Sequence, residues 1–281
     1  MGKYDAILGS YISDKILDSC RDGIFFQSTS SGIEKTNIKK IKEKNIIMCN
    51  SFSGAIFVAE YAFSMMMALF SKIHLANNFS LIEKDNNLSN IPRLYTESVR
   101  RKKVGFFGYG HIAQNISKML KPFDPDIYAF SNSFKEYILN SPKAKKLSKK
   151  EIIKSCDVIF VTLPLTLKTK NFIRNNDLMI ANPESIWINI AREEVVSTKI
   201  LIEAVQNGWI KYMASEVNKN SNSTYFLEIE KLLDNKRDAR NQIIISPYRA
   251  IRNNKLFPFL EEPIMNLLSY AKRAELINKV I

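Results

Sequence analysis

Gly108, Gly110 and Ala113 stand at the spacing that carries a chain out of a strand, through a sharp turn and into a helix around a pyrophosphate. The first glycine permits the turn, the second lets the backbone approach the phosphates, and the small third residue lets helix and strand pack closely. Backbone N–H groups at the helix N-terminus, with its positive dipole end, then hold the anion. Tyr109, His111 and Ile112 fill the intervening positions and complete the candidate cofactor turn. The spacing alone is common. It gains weight here because a short apolar run, Val104 to Phe107, precedes it and an amphipathic run through Leu120 follows.

About 20 residues further on, a dinucleotide fold places an acidic residue that binds a ribose 2′-hydroxyl and repels a 2′-phosphate. This chain has Phe130-Ser131-Asn132-Ser133 there, with Lys135 close behind. Hydroxyl and amide groups without a carboxylate accommodate a phosphorylated ribose. Ser131, Asn132 and Ser133 are therefore candidate cofactor residues, and NADP is slightly favoured over NAD, with both left open. The competing reading is an ordinary polar turn, since no arginine clamp accompanies it. Cys20, Cys49 and Cys156 are widely spaced and form no CxxC pair, so no zinc site is expected and free thiols are. Of the two histidines, His74 is read as packing or interface and His111 as a solvent-facing turn residue.

The elements that must position these residues follow from the apolar runs. Short strands are expected at Val104–Phe107, Ile127–Phe130, Val158–Leu163 and Ile186–Ile190, separated by helical segments, which is the pattern of a doubly wound parallel sheet. The run from Ala55 to Phe70 lacks Gly and Pro and is apolar almost all round, as in a helix buried on several sides. Glu60 interrupts it, and it falls short of the roughly 20 apolar residues of a membrane span. A polar stretch from Asn77 to Pro92 reads as a connection between domains.

A chain of 281 residues has room for two modest domains, and 46% hydrophobic with 25% charged residues is an ordinary globular balance. The formal net charge of +13 raises the question of nucleic acid, yet the lysines are spread along the chain. No helix-turn-helix, zinc-finger or RNA-binding aromatic motif accompanies them. The charge is read as a solvated surface that attracts anionic cofactors, and neither a nucleic acid nor a membrane is expected as partner. Free thiols, and an opening segment without signal-peptide organisation, suggest a cytoplasmic protein.

The second half carries ordered motifs: Cys156-Asp157-Val158, Leu163-Pro164-Leu165-Thr166 with Thr169, Ile188-Asn189-Ile190-Ala191-Arg192, Val195-Val196 and Ser246-Pro247. In the first, Ser30-Ser31-Gly32-Ile33-Glu34 and Val58-Ala59-Glu60 match further segments. Over nearly its whole length the chain resembles the D-isomer-specific 2-hydroxyacid dehydrogenases, the group of D-glycerate, D-lactate and phosphoglycerate dehydrogenases. The resemblance implies an α/β architecture, a Rossmann doubly wound parallel sheet plus a smaller flavodoxin-like α/β substrate domain that is split in sequence. Residues 1–94 with 253–281 would form the substrate domain and 95–252 the NAD(P)-binding domain. It also implies a homodimer, with the apolar helix from Ala55 in the interface.

The implied activity is hydride transfer between a nicotinamide cofactor and a small 2-oxo or 2-hydroxy acid such as glyoxylate or hydroxypyruvate. Arg192 takes the position of the arginine that clamps the substrate carboxylate, and the N–H groups of Ser31 and Gly32 would assist it. Leu163, Pro164, Thr169, Ile190 and Ala191 take cofactor-binding positions, and Glu216 replaces the aspartate at the nicotinamide carboxamide. The acid/base pair departs from the family: Tyr248 stands where the family has histidine, and Ser221 where it has the supporting glutamate. A phenol can protonate an alkoxide, and Arg192 and Arg249 would lower its ordinary pKa near 10; Tyr248 as plain aromatic packing is the other reading. Glu193 replaces the glycine usual after the arginine and would add a charge at the edge of the site. The alternative function is a dinucleotide-binding homologue of weak or no turnover, with a scaffold or regulatory role.

Overall fold

The computed structural model describes residues 4–82, 95–131, 144–217, 223–234, 241–247, 250 and 257–281. The chain divides into two compact units, Met1–Phe57 with Asn253–Ile281, and Val58–Arg252.

In the first unit, strands β1 (Ala6–Gly9), β2 (Phe25–Ser28) and β3 (Ile47–Cys49) form a parallel sheet in that order. Helix α1 (Asp14–Ser19) connects β1 to β2, and α2 (Ile38–Glu43) connects β2 to β3. Parallel neighbours require such crossovers, and a strand covered on both faces has no polar side. β2 fits this: all four of its residues are buried. Ile12, Leu17, Ile24, Phe26, Ile41, Ile46 and Met48 make the core on one side, and Phe25 stacks on Tyr270 of the C-terminal helix Phe257–Ala271 at 4.7 Å. Gln27 is fully buried and therefore needs partners. Its Nε2 donates to the Ser28 carbonyl at 2.7 Å, and its Oε1 accepts from Asn266 Nδ2 at 2.8 Å.

In the second unit, α3 (Ala55–Ser71) begins just before the division between units and α4 (Ile73–Ile82) follows it. Ala59, Ala62, Met65, Met66, Leu69 and Phe70 of α3 are buried, while its other side is only partly covered. The break between α3 and α4 falls at Lys72, whose φ of 57° no helix continues. After α4 come β4 (Lys103–Phe107), α5 (His111–Leu120), β5 (Asp126–Phe130), β6 (Lys145–Lys146), α6 (Lys149–Ser155), β7 (Val158–Val161) and α7 (Asn175–Leu178). β8 (Ile186–Asn189), α8 (Thr198–Gln206), β9 (Tyr212–Val217), α9 (Ser223–Asp234) and β10 (Ile243–Pro247) complete the unit.

The seven strands run parallel in the order β10-β9-β8-β7-β4-β5-β6. The order reverses between β4 and β7, and in such sheets ligands bind outside the carboxyl ends of the strands at that reversal. One face buries Phe107, Ile159 and Trp187 with Ile152, Leu201 and Ile202; the other buries Phe106, Phe160 and Ile188 with Ala113, Ile116 and Met66. β7 and β8 are shorter than the apolar runs that announced them. Thr162, the first residue past β7, donates its N–H to the Phe107 carbonyl at 2.9 Å and its hydroxyl to the Gly108 carbonyl at 2.9 Å.

Candidate active site

The Gly-rich turn leaves β4 at the reversal point. Gly108 has φ 91°, and a Cβ there would lie 3.2 Å from backbone atoms of Thr162 and Leu163, so both conformation and space select glycine. Its N–H bonds the carbonyl of Phe130, the last residue of β5, at 2.8 Å. Gly110 differs. Its φ of −88° suits any residue, and a Cβ would meet nothing within 4 Å. The fold itself does not need glycine at this position, and without a side chain the backbone stays open to approach. Gly110 is also the N-cap of α5 and supplies no side-chain cap, so the helix start can take an anion.

The remaining turn residues divide by role. Tyr109 is folded inward, its hydroxyl donating to Ser117 Oγ at 3.1 Å and its ring edge-on to Phe106 at 5.6 Å. His111 is exposed, Ile112 is half-buried against the α3–α5 side of the core, and Ala113 is fully buried. Ser131 is half-buried just beyond β5. Asn132 and Ser133 lie outside the described residues, as do Ser221, Tyr248 and Arg249.

Beyond β7, Leu163 is half-buried and Pro164 exposed. The Thr169 hydroxyl donates to the Pro164 carbonyl at 2.6 Å and accepts from the Thr166 N–H at 2.8 Å. That side chain is engaged in shaping the loop. Beyond β8, the Ile190 N–H bonds the Val161 carbonyl at 3.3 Å and the Ala191 N–H bonds Asn189 Oδ1 at 3.1 Å. Arg192 follows, half-buried, with its carbonyl accepting from the N–H groups of Val195 at 2.8 Å and Val196 at 3.3 Å. The loop that presents it is thereby closed into a turn.

Beneath that loop lies a buried polar network that sequence reading missed. Asn189, Thr198 and Ser215 are all fully buried. Asn189 Nδ2 donates to the Val196 carbonyl at 3.1 Å, and Thr198 Oγ1 and Ser215 Oγ share a hydrogen bond at 2.8 Å. Glu193 does not charge the edge of the site as expected. Its carboxylate turns to the start of α8, accepting from the Thr198 N–H at 2.9 Å, the Thr198 hydroxyl and the Tyr225 hydroxyl. Carboxylates are favoured at helix N-termini, which have free N–H groups and a positive dipole end. Burial and the adjoining Glu193 charge push the Tyr225 hydroxyl well above its ordinary pKa, so it remains a donor.

Glu216 sits half-buried in β9, and its Oε1 accepts from the Ala250 N–H at 2.5 Å. It therefore braces the segment two residues beyond Tyr248. Tyr61 of α3 does similar work from the other side, its hydroxyl 2.7 Å from Ser246 Oγ near the end of β10. Only α3's position next to β10 could have revealed Tyr61, and sequence spacing does not carry that.

Ser31 and Gly32 belong to the first unit. The Ser30 carbonyl accepts from the Ser51 N–H at 3.2 Å and the Ser31 carbonyl from Asn50 Nδ2 at 3.0 Å, so the loop is held from β3's side. Among the described residues no group of His, Cys, Asp or Glu could hold a metal ion, and no helix is long and apolar enough to cross a membrane. Cys156 is buried and its thiol pushed up to about 12, which makes it inert packing.

Gly108, Ser131, Leu163, Ile190 to Arg192 and Glu216 thus gather along the carboxyl ends of β4, β5, β7, β8 and β9. Comparison with known proteins gives the arrangement a family. The family model described as "D-isomer specific 2-hydroxyacid dehydrogenase, NAD binding domain" matches residues 63–250. A glyoxylate reductase of Thermococcus gammatolerans is 25% identical over 210 residues, covering 73% of this chain and 62% of that enzyme, so the match spans less than two thirds of the relative. The D-lactate dehydrogenase of Aquifex aeolicus, solved with NAD and lactic acid, superposes with a TM-score of 0.80 at 21% identity, covering 99% of this chain and 87% of that one. An acyclic imino acid reductase solved with NADPH and D-Arg gives 0.79 at 16% identity, covering 98% and 84%. The chain belongs to the D-isomer specific 2-hydroxyacid dehydrogenase family and carries that family's NAD-binding domain.

Proposed function

We propose that the protein is an NAD(P)-dependent reductase of a small 2-oxo acid of the glyoxylate or hydroxypyruvate class, acting as a cytoplasmic homodimer. The observation that carries the reading is the uncapped start of α5 behind Gly108 and Gly110, at the point where strand order reverses. When bound, the nicotinamide supplies a hydride to the carbonyl carbon of the acid. The chain's own residues do the rest. The α5 N–H groups hold the pyrophosphate, with Tyr109, His111 and Ile112 forming the turn, and Leu163, Pro164, Ile190 and Ala191 bound the cofactor at the strand ends. Ser131 to Ser133 offer hydroxyl and amide groups without a carboxylate to the ribose, which favours NADPH.

Arg192 clamps the carboxylate and polarises the carbonyl. The developing alkoxide takes a proton from the Tyr248 hydroxyl, and the phenolate is reprotonated from solvent. Glu216 accepts from the N–H of Ala250, two positions after Tyr248 in the sequence. The test is nicotinamide absorbance with glyoxylate, hydroxypyruvate and pyruvate. Arg192→Ala is expected to lower kcat/KM by about 10²–10³-fold and Tyr248→Phe by about 10²–10⁴-fold; unchanged rates in both would remove the mechanism.

Tyr248 and Ser221, in place of the family's histidine and glutamate, favour a second reading: a dinucleotide-binding homologue without turnover that serves as a scaffold or regulator. Tight NADPH binding with no oxidation across 2-oxo acids would select it.

A further inference from the structure

A cleft of about 390 Å³ opens on the larger unit between the start of α6 and the segment that leads into α7. Its walls include Lys149, Lys168, Lys170, Phe172, Arg174 and Asp177, four cations to one carboxylate. That carboxylate is taken: Lys149 Nζ binds Asp177 Oδ2 at 2.7 Å and the Phe172 carbonyl at 2.6 Å. Lys168, Lys170 and Arg174 are exposed, and among the described residues no carboxylate pairs with any of them. Three uncompensated like charges around one concavity repel one another, and a bound anion relieves that cost. The volume falls within the range of small-molecule sites.

On the remaining wall the ring of Phe172 is half-buried, with Lys149 Nζ 4.9 Å from its centroid, edge-on to Phe107 at 5.4 Å and tilted against Phe130 at 5.4 Å. Phe107 and Phe130 are the last residues of β4 and β5, immediately before Gly108 and Ser131. Lys168 and Lys170 flank Thr169, the residue that closes the loop after β7. The cleft therefore adjoins the ends of β4 and β5, next to the residues given to the ribose in the reading above, and its rim is cationic. Lysines take phosphate as point charges.

We propose that this cleft binds a phosphate group of a nucleotide, with Lys168 and Lys170 as its cations. The phosphate has two possible sources, the 2′-phosphate of NADPH or a separate nucleotide; the first source rests on the dinucleotide reading above.

The experiment is calorimetric titration of the full chain with 2′,5′-ADP, 5′-ADP, NADPH and NADH, repeated on the Lys168→Ala/Lys170→Ala double variant. Both lysines are exposed, so the unfolding midpoint is expected to stay unchanged and is measured alongside. The expected result is binding of a phosphorylated probe by the wild type that weakens about tenfold or more in the double variant, with a loss that grows at low salt. NADH affinity stays the same. Displacement of 2′,5′-ADP by NADH assigns the phosphate to the cofactor; simultaneous binding assigns it to a separate nucleotide. Equal affinity of wild type and variant for every probe, or no binding of either ADP to the wild type, overturns the proposal. Retained, lysine-dependent ADP binding with no NADH or NADPH binding would leave this site standing and remove the dinucleotide reading instead.

Discussion

Glu193 stands next to the arginine on which the proposed chemistry depends, yet its carboxylate points to α8 and Tyr225. Three donors from two residues converge on it, and a carboxylate so held resists replacement by anything that cannot accept. Tyr225→Phe removes one of these donors and is expected to lower stability by about 1–3 kcal/mol, read from the urea midpoint. Glu193→Gln keeps one acceptor oxygen and should restore part of what Glu193→Ala loses; equal losses would show that the carboxylate is not the anchor. The sequence shows that a charge has replaced a glycine here, but not where it points, because Tyr225 lies 32 residues away. Lys72 gives a second residue-scale expectation. It is 5% exposed, its ammonium lies 3.2 Å from the centroid of the Tyr212 ring, and burial, partly offset by Glu97, lowers its pKa to about 8. The folded state therefore gives up this proton at lower pH than the unfolded chain. Between pH 8 and the ordinary lysine value the unfolded state binds more protons, and the lysine's penalty shrinks as pH rises. Lys72→Met should raise the unfolding midpoint at pH 7, with the gain shrinking toward pH 10; a gain independent of pH would contradict the buried-charge account.

At the scale of elements, the short strands with apolar cores were legible, since Val104–Phe107, Val158–Val161 and Ile186–Asn189 are runs buried on both faces and Ile127–Phe130 is buried on one face and half-buried on the other. β9 was not marked because Ser215 and Glu216 interrupt its apolar pattern; both are spent on the network under the Arg192 loop and on Ala250. β6 has two exposed lysines and owes its place to pairing with β5, which no local pattern reports. The opening of α3 depends on a residue far along the chain. Glu262 Oε2 accepts from the Phe52 N–H at 2.6 Å, Ser51 Oγ at 3.0 Å and Asn278 Nδ2 at 3.1 Å. It ties the C-terminal helix and the last residues to the segment after β3. Glu262→Ala is expected to cost about 2 kcal/mol or more and to speed amide exchange at 51–53 ahead of the seven-stranded sheet. Uniform exchange throughout the chain would contradict a local anchor.

For the molecule as a whole, the order of seven parallel strands and the position of the Gly-rich turn at their reversal decide where a dinucleotide would lie. That much was readable because glycine spacing and strand burial are local signals. The acid that completes the reaction was readable only as a departure: Tyr248 and Ser221 occupy positions defined by the family's motifs, and neither lies among the described residues. Part of the positive charge gathers in the cleft around Phe172, where Lys149 joins Lys168, Lys170 and Arg174. The most direct test of the central claim is the fall in nicotinamide absorbance when NADPH or NADH is mixed with glyoxylate or hydroxypyruvate. Saturable oxidation is expected, lowered about 10²–10³-fold by Arg192→Ala and about 10²–10⁴-fold by Tyr248→Phe. Bound cofactor with no oxidation of any 2-oxo acid would contradict it and leave a family member that has kept its cofactor domain without the reaction.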